Sequence, residues 1–173
     1  EEANSVVQRA AEMIESGEVE ESKIAKSVLV IDEAQDMGVD DFRLVKSLIQ
    51  RNEDMRVIAV GDDDQNIYGF RGSNSAYFSS LIKDYNAMRY EMTENYRSDE
   101  AIVDYANRFL TKIPNRLKIN QIHSVSKRKG QVCAKADPEQ LVSNLHHSGQ
   151  TAVLTQTNKQ TLQIAHILKE QGK

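Results

Sequence analysis

The sequence predicts an α/β protein, a parallel sheet with flanking helices, and three observations carry that expectation. Val28-Leu29-Val30-Ile31 is an apolar run rich in β-branched residues that stops at the paired acids Asp32-Glu33. Arg56-Val57-Ile58-Ala59-Val60 is a second such run, ending in Gly61-Asp62-Asp63-Asp64-Gln65. Between them Phe42, Val45, Leu48 and Ile49 recur at helical spacing. Strand, helix, strand with short connections is a βαβ unit, whose handedness sets both strand ends on one edge of the sheet. Apolar runs of this kind read as strands buried on both faces.

Taken in order, Val6, Val7, Ala10, Ala11 and Ile14 predict an amphipathic helix before Gly17, and the acidic stretch to Glu21 reads as a loop. Asp40 or Asp41 can cap the helix after the first strand. Beyond the glycine-rich loop, residues 75–84 read as a short helix and residues 88–92 as a strand. Ser98 suits an N-cap, and Asp99 and Glu100 suit the positive end of a helix with an expected buried stripe of Ile102, Ala106, Phe109 and Ile113. Pro114 terminates it. After a polar stretch to Gly130 the alternation restarts, with strands expected at 131–136 and 151–155 and helices at 138–147 and 159–169. A domain boundary belongs in that polar stretch, giving 1–120 and 130–173.

Composition narrows the class. Across 173 residues, 28% charged and 39% hydrophobic content argue against disorder, and no apolar run approaches the roughly 18 to 20 residues of a membrane span. A net charge of −4 excludes a uniformly basic surface, so any nucleic-acid contact needs a local groove. Lys127-Arg128-Lys129 reads as a solvated linker. The lone Cys133 excludes an internal disulfide and suits a reducing, cytoplasmic setting; within Gln131-Val132-Cys133-Ala134 it reads as a buried strand thiol. The four histidines show no zinc-ligand spacing. The chain opens at Glu1 without methionine or signal peptide, which reads as an excised piece.

Chemistry is expected where the strands end, because ligands of open α/β sheets bind at the carboxyl edge. An Asp there can hold Mg²⁺ against nucleotide phosphates, and a neighbouring Glu can take the proton of an attacking water. The plainer reading is a strand whose acids reach solvent and cap the next helix.

Three segments in order sharpen this: Asp32-Glu33-Ala34-Gln35-Asp36, Gln65-Asn66-Ile67-Tyr68-Gly69-Phe70-Arg71-Gly72 and Glu94-Asn95-Tyr96-Arg97-Ser98. They resemble motifs II, III and IV of the UvrD/Rep/PcrA-like superfamily 1 DNA helicases. The resemblance covers about residues 28–112, and Ala152-Val153-Leu154-Thr155-Gln156-Thr157-Asn158 is more weakly similar to the opening strand of the family's second RecA-like domain. It implies a RecA-like P-loop NTPase fold, with 1–120 as the C-terminal part of the first, ATP-binding domain and 130–173 as the start of the second. By the same resemblance Asp32 would bind Mg²⁺, Glu33 would activate the hydrolytic water and Gln65 would sense the γ-phosphate of ATP. Tyr96 would stack on the adenine, and Arg97 would reach the γ-phosphate. Tyr68, Phe70 and Arg71 would lie towards single-stranded DNA, where aromatic rings stack without regard to base identity. The implied partners are single-stranded DNA, duplex junctions and the missing N- and C-terminal parts of the same polypeptide, in an ATP-dependent helicase of DNA repair type.

Departures accompany the matches. No Gly-x-x-x-x-Gly-Lys-Ser/Thr phosphate loop occurs, the family's last ATP-contacting motif is missing, and Gln156 stands where relatives often carry arginine. Phe70 stands where many relatives have tryptophan. Two other classes stay open: a metal-dependent nuclease using Asp32, Glu33 and Asp62 to Asp64 as a carboxylate cluster, and a non-catalytic docking module of helicase-like fold. Gln35 and Asp36 read as hydrogen-bonded scaffolding that couples the loops.

Overall fold

In the computed structural model, residues 2–67, 74–133, 137 and 150–172 are described. The chain divides into two compact units, Glu1–Lys129 and Gly130–Lys173. Helices and small parallel sheets alternate, so the protein is mixed α/β.

In the first unit, β1 (Val28–Ile31) and β2 (Arg56–Ala59) pair in parallel, Val28 opposite Arg56 and Ile31 opposite Ala59. The intervening helix α3 (Val39–Gln50) makes this the expected βαβ crossover. Asp41 caps α3 by reaching back, its Oδ2 accepting the Gly38 N–H at 2.9 Å. Apolar side chains of α3 and of α4 (Ser75–Tyr85) close over one face of the two strands. Ala34, Met37, Val45 and Leu81 are buried there, with Leu29, Ile31, Phe42, Ile49, Ala59, Tyr77 and Phe78 around them. The Phe42 and Tyr77 rings stack at 4.9 Å between centroids.

Helix α1 (Glu2–Ser16) buries Ala11 and Ile14 as its periodicity requires. Its last turn is fixed by Glu15, which accepts from Arg43 Nη2 at 2.6 Å and from Ser47 Oγ at 2.9 Å. Those bonds hold the Glu15 carboxyl below its ordinary range, the Arg43 bond contributing most. The acidic stretch expected as a loop is one through Glu20, and a short helix, α2 (Glu21–Ile24), starts at its last residue and buries Ile24.

The expectation of strands buried on both faces is corrected. Val30 is 61% exposed and Val28, Ile58 and Val60 nearly half so, because the helices of this unit cover a single face. The other face is apolar and open.

Further along, β3 (Glu94–Asn95) pairs in parallel with β4 (His123–Ser124). The strand expected at 88–92 does not form. Met88, Tyr90 and Met92 are at least 77% exposed, and among the described residues no segment pairs with them in a ladder. Helix α5 (Glu100–Leu110) begins one residue later than an N-cap at Ser98 would give, with Asp99 in that place. Its inward face is also rotated from the expected stripe. Val103 is the buried residue, Asn107 exchanges hydrogen bonds with the Ile122 backbone, and Ile102, Phe109 and Ile113 are more than 40% exposed. A shift of one residue on a helix turns the face by about 100°, and the partner that sets the phase, residues 122–129, has no periodic signature. The Lys127–Lys129 run, expected as a solvated linker, is exposed, and its backbone also forms part of that partner. Carbonyls of Arg128 and Lys129 accept the first N–H groups of α5, and Arg128 Nε meets Asp99 at 2.9 Å.

In the second unit, helix α6 (Asn158–Glu170) starts at a capping box, the Thr157 N–H donating to Gln160 Oε1 at 3.1 Å. The strands expected at 131–136 and 151–155 are not found among the described residues. Leu154 is 91% exposed and Cys133 is exposed rather than a buried strand thiol, since no neighbouring strand among the described residues pairs with either segment. Residues 134–136 and the helix expected at 138–147 lie outside the described residues. No described helix is long and apolar enough to cross a membrane.

Leu81 and Ile102 separate real from apparent core. Leu81→Ala should destabilise the protein by about 2 to 4 kcal/mol, whereas Ile102→Ala should cost less than about 1 kcal/mol, as read by urea unfolding. Equal losses would contradict the observed phase of α5.

Candidate functional site

Parallel pairing of β1 and β2 brings their carboxyl ends side by side, and the ladder continues past the strands. Val60 N donates to Ile31 O at 2.8 Å, and Ala34 N returns to Val60 O at 2.9 Å. Asp32 and Glu33 therefore sit beside Gly61 and Asp62. Both acids are exposed, at the edge where the sequence placed them.

Glu33 takes left-handed backbone, φ 50° and ψ 44°, which costs a non-glycine residue roughly 1 kcal/mol and turns the chain sharply into the single helical turn Ala34–Asp36. That turn buries Gln35, 2% exposed. Its amide is used at both ends. Nε2 donates to Glu33 Oε2 at 2.8 Å, and Oε1 accepts the Asp62 N–H at 2.8 Å. The Gln35 carbonyl accepts from Asn66 Nδ2 at 3.0 Å. Gly61 permits the approach: a Cβ there would lie 2.5 Å from Gln35 Oε1 and 3.1 Å from Ala34 N. The scaffolding expected of Gln35 is present. Asp36 differs, since its buried Oδ1 has no hydrogen-bond partner among the described residues.

Gln65 closes the short turn Asp63–Gln65 and donates through Nε2 to Asp62 Oδ2 at 2.8 Å. The three carboxylates of Asp62, Asp63 and Asp64 converge to within 4.8 Å of one another. Their charge is met from a segment more than fifty residues away. Arg116 grips Asp64 with two bonds of 2.6 and 2.8 Å, Lys118 bridges Asp64 and Asp62, and the Leu117 N–H donates to Asp63 at 2.5 Å. Burial pushes the Asp64 carboxyl up, but the bonds from Arg116 and Lys118 outweigh it and leave the group below its ordinary value. The cluster is thus a salt-bridged loop, its oxygens engaged where a two-metal nuclease would need them free.

The Asp32 carboxylate is different. Oδ1 accepts the Glu33 N–H at 2.9 Å, and no cation pairs with it among the described residues. An exposed hard-oxygen donor at a strand end fits Mg²⁺.

Tyr96 and Arg97 follow β3. Asn95 Oδ1 accepts the backbone N–H groups of Arg97 and Ser98 at 3.0 and 2.7 Å, building a tight turn that leaves both side chains outward; Tyr96 is 73% exposed. Its hydroxyl donates to Glu94 Oε2, a bond that raises the phenol above its usual range. No hydrogen bond among the described residues joins this turn directly to Asp32 or Glu33. Tyr68, Phe70 and Arg71 lie outside the described residues.

Sequence reasoning missed Arg116 and Lys118. An uncompensated run of three acids at the end of an apolar strand was the available signal, since such charges require cationic partners. A broad open depression lined by Lys26, Ser27, Arg51 and Asn52 sits at the other, amino-terminal end of the strands and gathers none of these groups.

Residues 4–86 match the family described as the UvrD/REP helicase N-terminal domain, a match that supports a fragment of UvrD-like superfamily 1 helicase type. It is 38% identical over 103 residues to the ATP-dependent DNA helicase Rep of Buchnera aphidicola, covering 59% of this chain and 14% of that protein. It is 38% identical over 94 residues to the ATP-dependent DNA helicase PcrA of Leuconostoc citreum, and 34% identical over 92 residues to DNA helicase II of Haemophilus influenzae. The first alignment covers 51% of this chain and the second 53%, and each takes in 12% of the relative's length. The chain thus spans less than a fifth of the relatives it matches.

Because Asp64 is lowered in the folded state, it stabilises the protein above its unfolded value, near 3.8, and that contribution is lost as pH falls through the folded value. Asp64→Asn should therefore destabilise the protein at pH 6, with the gap to wild type closing in acid as pH falls through the lowered folded value. Urea unfolding at pH 6 and in acid checks this; a gap that stays constant would remove Asp64 from the network.

Proposed function

We propose that this chain is the water-activating and phosphate-sensing part of an ATP-driven helicase that moves on single-stranded DNA. In this reading residues 1–120 belong to a first RecA-like domain and 130–173 open a second. The observation that carries it is the bond chain Glu33–Gln35–Asp62–Gln65, which joins a candidate base to a candidate sensor through one buried amide. The names of the relatives, ATP-dependent DNA helicases, support the choice of nucleotide and substrate.

Glu33 is the general base. Its Oε2 is held by Gln35, which fixes the carboxylate and leaves the other oxygen to take the proton of an attacking water. Asp32 would hold Mg²⁺, which supplies neutralisation of phosphate charge when bound. Gln65 can donate to a phosphate oxygen or to Asp62, so the presence of the γ-phosphate decides which partner it takes. Tyr96 offers an exposed ring to the adenine and Arg97 a cation to the γ-phosphate. Tyr68, Phe70 and Arg71 follow Gln65 closely in sequence and carry the change of partner to single-stranded DNA or a duplex junction. The sequence holds no phosphate loop, so the nucleotide is anchored by another part of the full-length polypeptide.

Steady-state ATP turnover by the full-length protein, with and without single-stranded DNA, tests the assignment. Glu33→Gln should leave ATP binding nearly intact and slow hydrolysis by a factor on the order of 10² or more. Phe70→Ala should weaken the DNA-stimulated rate while sparing the DNA-free rate, whereas Arg97→Ala should lower both. Unchanged turnover in Glu33→Gln would make Glu33 a structural acid and end this reading.

A further inference from the structure

Residues 116–118 touch every carboxylate of the Asp62 to Asp64 run, and they do so with different groups. Arg116 takes Asp64 through its guanidinium, Leu117 takes Asp63 through its backbone N–H, and Lys118 takes Asp62 and Asp64 through its ammonium. The contact is sheltered. Side-chain exposure is 6% at Asp64, 16% at Arg116 and 18% at Lys118. Surface ion pairs of long side chains contribute little, but a partly buried bidentate pair fixes geometry.

The segment is itself anchored away from the loop it grips. Asn115, at φ 57°, turns the chain after Pro114. Arg89 Nη1 donates to the Leu117 carbonyl at 2.7 Å, and Glu91 accepts the N–H groups of Ile119 and Asn120, the latter at 3.0 Å. Those bonds, the Asn120 N–H first, hold the Glu91 carboxyl below its ordinary range. Glu91 lies three residues before β3 and five before Tyr96. A strap therefore runs from the Glu94–Ser98 turn to the Asp62–Gln65 loop, which share no direct bond among the described residues.

Asp62 is where the strap meets the site. Its Oδ1 takes Lys118 and the Asp64 N–H, its Oδ2 takes the Gln65 amide, and its own N–H goes to Gln35. We infer that Arg116 and Lys118 are positioning residues that set the place of Gln65 through Asp62, and so tie the Gln65 loop to the turn that carries Tyr96 and Arg97. The inference rests on the proposed ATPase reading. Losing Lys118 removes one of the two donors that fix Asp62 Oδ1, which loosens the carboxylate that holds Gln65 without touching the nucleotide.

The test is ATP turnover by the full-length protein with single-stranded DNA, for Lys118→Met, Lys118→Arg, Gln65→Ala and the Lys118→Met/Gln65→Ala pair. Lys118→Met should lower kcat about tenfold with KM for ATP moved less than about twofold, and Lys118→Arg should restore most of the loss. In the Gln65→Ala background Lys118→Met should cost less than about twofold, because both changes act on one group. Asp62→Asn, which keeps shape and removes charge, should show the same non-additivity and decides the matter if Lys118→Met does not fold. Equal fractional losses in both backgrounds, or Lys118→Arg as slow as Lys118→Met, would overturn the inference. Wild-type turnover in Gln65→Ala would defeat the site assignment itself, and the inference with it, without involving any strap residue.

Discussion

A buried glutamine amide must bond at both ends or cost about 1 to 3 kcal/mol for each end left unmet. Gln35, with 2% of its surface exposed, meets this by donating to Glu33 and accepting from Asp62, and the rest of the site follows from that constraint. A glutamate there could not donate, and a leucine could do neither. The bridge also dictates its surroundings. Glu33 must bend into left-handed backbone to bring its carboxylate back, and residue 61 must be glycine because a Cβ would strike the amide oxygen. Two strands that end side by side become one rigid edge.

Rigidity on that side is matched by charge pairing on the other. Three carboxylates within 4.8 Å repel one another, and that repulsion would open the loop after β2 unless cations entered. Arg116 and Lys118 enter, and in doing so join a loop near the sheet to a segment held by Arg89 and Glu91. The Asp62–Gln65 loop is thus gripped from the strand side by Gln35 and from the far side by the strap. Gln65 keeps one adjustable bond, to Asp62, and a residue with one adjustable bond between two fixed supports is suited to report a ligand's presence.

Much of this was legible in the sequence, and the limits have physical causes. Apolar β-branched runs ending in acids located β1, β2 and the candidate site, because local composition sets where a strand stops. Helices α1, α3, α4 and α6 followed their periodicity. The phase of α5 did not, since its inward face answers to residues 122–129, which pack through backbone carbonyls and hydroxyls. Residues 88–92 read as a strand, yet a strand needs a partner that local pattern cannot supply. The acid run at 62–64 signalled that cations were required, but not that Arg116 and Lys118 supply them. Isolated cations in a polar stretch gain meaning only when the fold sets them against the acids at 62–64.

One buried amide couples Glu33, the proposed base, to the loop of Gln65, the proposed sensor. Hydrogen exchange at the Asp62 amide, whose only acceptor is Gln35 Oε1 among the described residues, measures that coupling directly when read against the Val60 amide, which bonds to Ile31 O. Gln35→Met should lower protection of Asp62 by about tenfold or more while Val60 keeps its protection, since the ladder does not use the amide. Equal protection of Asp62 in wild-type and Gln35→Met protein would show that the loop is held without the bridge, and would contradict the account.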